Sequence, residues 1–183
     1  MTFLTSGGPG LPSKKKSKPL RKPIKIQWDA SATVAANASA MLPALARSFF
    51  EAGGALAAGK PPLQAIHRFR LLTKRFRYDL ELFRPCYGPG LERRIEALQN
   101  LQQRLGEVSD CAATQRLLRG RTDLPRAHRE RLIRHLSAIT DTRVYHFVRH
   151  WQTEFAPGRE RWWTSYLTRF AGPRKRRKPL LRR

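Results

Sequence analysis

Between Ile66 and Phe83 the apolar residues recur at helical spacing, and this constrains the fold more than any other feature of the chain. In the stretch AIHRFRLLTKRFRYDLELF, residues 65–83, Phe69, Leu72, Phe76, Leu80 and Phe83 gather on one side of a helix that turns about 100° per residue. A stripe of that kind requires other elements to cover it. The opposite side is cationic. With His67 set at zero on the helical wheel, Lys74 lies near −20° and Tyr78 near +20°, and Arg70 and Arg77 lie near −60° and −80°, all roughly, by helix geometry. His67, Arg70, Lys74, Arg77 and Tyr78 therefore share one polar face. Arg68 and Arg75 flank the apolar stripe on the other side and are less well placed to join it.

The rest of the chain reads as further helices with no convincing strand. Asp29 or Ser31 is the expected cap of a first helix over about 30–53, carrying Val34, Met41, Leu42, Leu45, Phe49 and Phe50 and closed by Gly53-Gly54. Pro43 inside it predicts a kink or a restart. Pro61 and Pro62 suit the first turn of the second helix, which Pro85 and the YGPG run end near 84. A third helix is expected over about 89–105, through Ile95, Leu98, Leu101, Gln102 and Leu105, with Gly106 as its stop. A short fourth follows over about 108–119. The RGRTDLP turn and Pro125 precede a fifth reaching about 154, and APG precedes a last one over about 159–170. Helices joined by turns this short predict an all-α, antiparallel bundle of five to six helices. Residues 1–27 and 172–183 are rich in Gly, Pro, Ser, Lys and Arg and are expected to be disordered tails around a helical domain at 28–171.

Charge narrows the partners. The 183 residues include 37 Lys and Arg against 13 Asp and Glu, a net charge of +24. Such a surplus repels itself and calls for a polyanion: inorganic polyphosphate, nucleic acid or an anionic membrane surface. Lys14, Lys15, Lys16, Lys18, Arg21, Lys22 and Lys25 crowd one tail, and Arg174, Lys175, Arg176, Arg177, Lys178, Arg182 and Arg183 the other. Cations still outnumber acids between the tails. No apolar run has the length of a membrane span, so no membrane partner is expected. The N-terminus is a poor secretory signal, and Cys86 and Cys111 form neither a disulfide framework nor a metal set. Both read as small, partly buried thiols in a reducing, cytoplasmic setting.

Cations at i, i+3, i+7 and i+10 stand about 5 Å apart along a helix axis. That spacing suits a linear polyanion better than one compact anion. Arginine offers a planar fork to paired phosphate oxygens, and lysine a point charge. A solvated basic face is the plain alternative, at a cost of a few tenths of a kcal/mol for each like-charged i,i+4 pair.

The residues are more specific than the charge. The frame His-x-x-Arg-x-x-x-Lys-Arg-x-Arg-Tyr, then Leu-Gln, then Leu-Gly-x-x-x-Asp, falls on His67, Arg70, Lys74, Arg75, Arg77, Tyr78, Leu101, Gln102, Leu105, Gly106 and Asp110. This resembles the CHAD family, the conserved histidine α-helical domain, over about 65–118, and more weakly through Arg143, Phe147 and Trp151. The resemblance implies an all-helical module that binds inorganic polyphosphate in a basic groove, is not a catalyst, and often sits at polyphosphate granules. Position by position it makes His67, Arg70, Lys74, Arg75, Arg77 and Tyr78 the ligand-contact candidates. A typical member has two facing helical units. This chain resembles the second alone, so the groove between halves is either absent or rebuilt by a homodimer.

Other residues leave alternatives open. Asp110 either orients a groove arginine or serves as a helix-start acid. His128, His135, His146 and His150 share one face of the fifth helix, and His146 and His150 stand at i,i+4, but no acid or thiol completes a metal set. Beside phosphate, protonated histidines would strengthen binding at mildly acidic pH. Arg143 lies almost inside the apolar side of its helix. It either reaches Asp110 or Glu107, or points into the anion groove, and so joins the candidate contacts. Trp151, Trp162 and Trp163 read as packing residues, with base stacking as the sharper alternative. No catalytic set, cofactor motif or Gly-rich phosphate loop is legible. The competing function is nucleic-acid binding, nucleoid or RNA-associated, through the two basic tails.

Overall fold

A computed structural model describes residues 28–169. Five α-helices account for nearly all of them: α1 (Val34–Ala57), α2 (Leu63–Leu82), α3 (Gly90–Gly120), α4 (Arg126–Glu154) and α5 (Arg159–Arg169), with a single 3-10 turn, Arg84–Cys86, between α2 and α3. There is no strand among the described residues, so the chain is an all-α bundle. The expected tails, 1–27 and 172–183, lie outside them.

Three sequence expectations change, and of the two outcomes expected at Pro43 the restart does not occur. The cap of α1 is Thr33, whose hydroxyl accepts from the Ala36 amide at 3.1 Å. Asp29 and Ser31 instead close a turn ahead of it, with the Ser31 amide and hydroxyl both donating to the Asp29 carboxylate. Pro43 is buried within α1, which continues past it as one helix. Gly53-Gly54 does not stop α1. A Cβ on Gly53 would stand 2.0 Å from the Trp151 ring, so this glycine lets α4 approach α1 closely. Gly106 does not stop α3 either, and the third and fourth predicted helices are one helix of 31 residues. The leucines, Val108 and Cys111 on its buried side continue the apolar stripe straight through the glycine, and that burial outweighs its weak propensity.

One aromatic cluster organises the core. Phe49 of α1 is fully buried and meets Phe69 and Phe76 of α2, Trp151 of α4, Phe155 just after α4, and Trp163 of α5, all with ring centroids within 6.4 Å. Full burial of such a side chain contributes about 1.5–3 kcal/mol, and favourable ring pairs add about 0.5–1.5 kcal/mol each. Trp151 and Trp163 are core residues, as their spacing implies. This cluster fixes the rotation of α2: with Phe69, Phe76 and Leu80 inside, His67, Lys74 and Tyr78 must face out. Neither α3 beyond Gln115 nor α4 before Thr140 has a buried residue, so these two ends extend past the core.

Candidate functional site

α2 and α3 run antiparallel, joined by a tight turn in which Arg84 pairs with Glu92 at 3.0 Å. Along their seam the cations of α2 are held by α3. Arg77 Nε donates to Gln102 Oε1 at 2.6 Å, its other arm forms an ion pair with Glu81, and its side chain is only 16% exposed. One pair of turns away, Arg70 is half-buried over Gly106: a Cβ on that glycine would stand 3.8 Å from Arg70 Nε. That nitrogen is buried and has no hydrogen-bond partner. Gly106 thus lies beneath an arginine whose Nε donor is unused.

Lys74, Tyr78 and His67 stand on the outer rim and are exposed. The Tyr78 ring gathers the cations beside it, with the Arg77 guanidinium 4.5 Å and the Lys74 ammonium 5.6 Å from its centroid. Contacts of this kind contribute about 0.5–1 kcal/mol at an exposed site. Arg70, Lys74, Arg77 and Tyr78 are thus brought together, with His67 continuing the row one turn further along.

Two candidates stand elsewhere. Arg75 is exposed on another face of α2, where its charge acts on Asp79. Burial raises the Asp79 carboxyl above the usual carboxylate range, and one of its oxygens has no hydrogen-bond partner. The family frame places Arg75 among the contacts, but a helix cannot turn it onto the same face as Arg70 and Arg77. Arg143 belongs to α4 and reaches α3, donating to the Glu107 carbonyl at 2.9 Å and to Cys111 Sγ at 3.0 Å. Cys111 is about 180° around α3 from Gln102 by helix geometry, so Arg143 stands on the flank of α3 opposite the α2 seam. Of the alternatives open for Arg143, its contact is Glu107. Asp110 is exposed in the middle of α3, so the helix-start reading of that acid fails with the expected break.

The histidine stripe of α4 is exposed at His128, His135 and His146, and no group of three metal-ligating side chains occurs among the described residues. His150 is half-buried. Burial, and then the charge of Arg104, lower its pKa, so it resists protonation. Two residues that position the site were absent from the candidate contacts. Gln102 belonged to the recognised frame, but only the seam reveals its role. Glu81 stands at i,i+4 from Arg77, a spacing that announces the pair.

The family model of the CHAD domain matches residues 12–119, more than half of the chain, and the chain belongs to that family. The match takes in α2, the seam and α3 almost to its end. Arg143, Phe147 and Trp151 lie beyond it. Neither the curated proteins nor the solved structures contain a match to this chain. No helix among the described residues is long and apolar enough to cross a membrane.

Proposed function

We propose that this chain is a binding module for inorganic polyphosphate and that the α2/α3 seam is where the chain of phosphates lies. The observation that carries the reading is Arg70, half-buried with an unused donor above Gly106, in line with Lys74 on the rim and Arg77 held by Gln102. A buried guanidinium donor left unpaired is costly, and a phosphate oxygen is the acceptor its fork fits. Lys74 extends the positive row one turn on from Arg70, and His67 continues the polar face one turn the other way, so repeating anions meet repeating polar groups. Arg77 has its charge balanced by Glu81 and acts chiefly to hold the Tyr78 ring and the near wall in place. The face carries no nucleophile paired with a base, which supports binding rather than catalysis as its role. A cytoplasmic location, at polyphosphate granules, follows from this reading.

Changing Arg70, Lys74 and Arg77 together to Ala is expected to weaken long-chain polyphosphate binding by at least about a hundredfold, with helicity unchanged. Wild-type affinity should fall steeply as salt rises, by analogy with counterion release on nucleic acid. Binding that survives the triple change at full strength would defeat the assignment. The competing reading, nucleic-acid binding through the tails, rests on residues outside those described. Competition between polyphosphate and DNA, with residues 1–27 and 172–183 present and then removed, separates the two readings. A core that prefers DNA favours the second.

A further inference from the structure

Arg94, in the first turns of α3, is the most thoroughly enclosed cation among the described residues, at 2% exposure. Its guanidinium lies between the rings of Trp162 and Tyr166, 3.8 and 3.7 Å from their centroids. One arm donates to the Gly90 carbonyl at 2.9 Å and the other to the Trp162 carbonyl at 3.3 Å, and Nε is buried without a partner. No carboxylate lies within ion-pair distance of it among the described residues. Burial lowers its pKa to about 10, which leaves it charged at neutral pH.

A buried charge is ordinarily paired. Two rings and two carbonyls partner this guanidinium without neutralising it, and it also lines a cavity of about 380 Å³, a size common for small-ligand pockets. Its other walls include Arg93, Arg169, Ser165 and the Trp162 and Tyr166 rings, and no acid. Glu92, the acid of this helix turn, is held away by Arg84. Arg93 and Arg169 are exposed and free to close over a ligand, whereas Arg94 is fixed.

We propose that the cavity between the start of α3 and the end of α5 is a second anion site, distinct from the α2/α3 seam, that takes a single phosphate group, free or carried on an ester. Arg94 supplies a fixed positive floor, Arg93 and Arg169 supply the direct contacts, and Ser165 offers a hydroxyl.

The test is a titration of the full chain with inorganic phosphate and, separately, with adenosine monophosphate, by calorimetry and by tryptophan fluorescence, since Trp162 forms part of the wall. Saturable binding of either is expected, and which of the two binds tells free phosphate from ester. Arg93→Ala with Arg169→Ala should weaken it at least about tenfold. Both residues are exposed, so the double variant should keep wild-type helicity and melting. The triple variant of the seam should bind phosphate as the wild type does, which makes failure here distinguishable from failure of the polyphosphate reading. Equal binding by the double variant and the wild type, or no saturable binding of either ligand, overturns the proposal.

Discussion

Arg70 lies on α2 against α3 and Arg94 lies on α3 against α5, and their surroundings differ. Arg94 has both faces covered by aromatic rings and two of its arms on backbone carbonyls. Arg70 has a glycine beneath it, a lysine and a tyrosine beside it, and a donor left over. The first arrangement joins α5 to α3, and the second leaves a half-buried guanidinium with no ring among the described residues on its faces to match Arg94's sandwich and one buried donor unmatched. What covers the flat faces of an arginine decides whether it behaves as a packing residue or as a ligand contact.

Four changes break or sharpen that contrast. The largest effect is expected at the enclosed end. Arg94→Ala removes a buried side chain stacked on two rings and should destabilise the fold by about 3 kcal/mol in chemical denaturation. Arg94→Lys should restore little of it, because an ammonium cannot lie flat between the rings. A loss under about 0.5 kcal/mol, the range of ordinary surface changes, would mean that the box does not bind α5 to α3.

At the seam, Gln102→Ala should cost about 1 kcal/mol of stability through the hydrogen bond to Arg77. Because Glu81 still holds Arg77, polyphosphate affinity should fall by only about fivefold, far less than in the triple variant. An effect as large as that of the triple would make Gln102 a contact rather than a support.

On the far flank, Arg143→Ala should lower stability by about 1 kcal/mol, since its contacts are a carbonyl and a thiol and it is one-third exposed. Polyphosphate affinity should not change. A drop of tenfold would place Arg143 in the site after all.

The smallest effect concerns pH. The folded-state pKa of His150 is depressed, so the unfolded chain takes up the proton first. Stability is full above the unfolded value of about 6.5 and is lost as pH falls from there toward the folded value. His150→Gln should lose less stability than the wild type as pH falls through about 6.5 and below. Identical pH profiles would remove the buried imidazole from the account. The same depression works against His150 as a source of stronger binding in mild acid.

Much of this was legible in the residues. The 3.6-residue stripe from Phe69 to Phe83 named the inside of α2 and hence its cationic outside. The family frame pointed to Gln102 and Gly106 as well. Glycine was the main source of error. A glycine reads as a stop when only its backbone freedom is considered, but Gly53 is inside α1 because Trp151 lies over it, and Gly106 is inside α3 because the apolar stripe buried on either side of it continues the helix. Trp151 is distant from Gly53 in sequence, and local spacing carries no trace of it. Arg94 was missed for the same reason: the residues that enclose it belong to α5, some 70 positions away.

The sequence by itself determined that the chain is helical and basic, which face of α2 is apolar and which is cationic, because those properties follow from the period of one helix and the sum of its charges. Tertiary structure alone decided which cations are open and which are already matched. Arg77 finds Glu81 and Gln102, Arg143 finds the Glu107 carbonyl, and Arg94 finds two rings and two carbonyls, while Arg70 and Arg94 each keep a buried Nε without a partner. Pairing depends on distances between helices, and those are set by the aromatic core around Phe49 rather than by any local pattern.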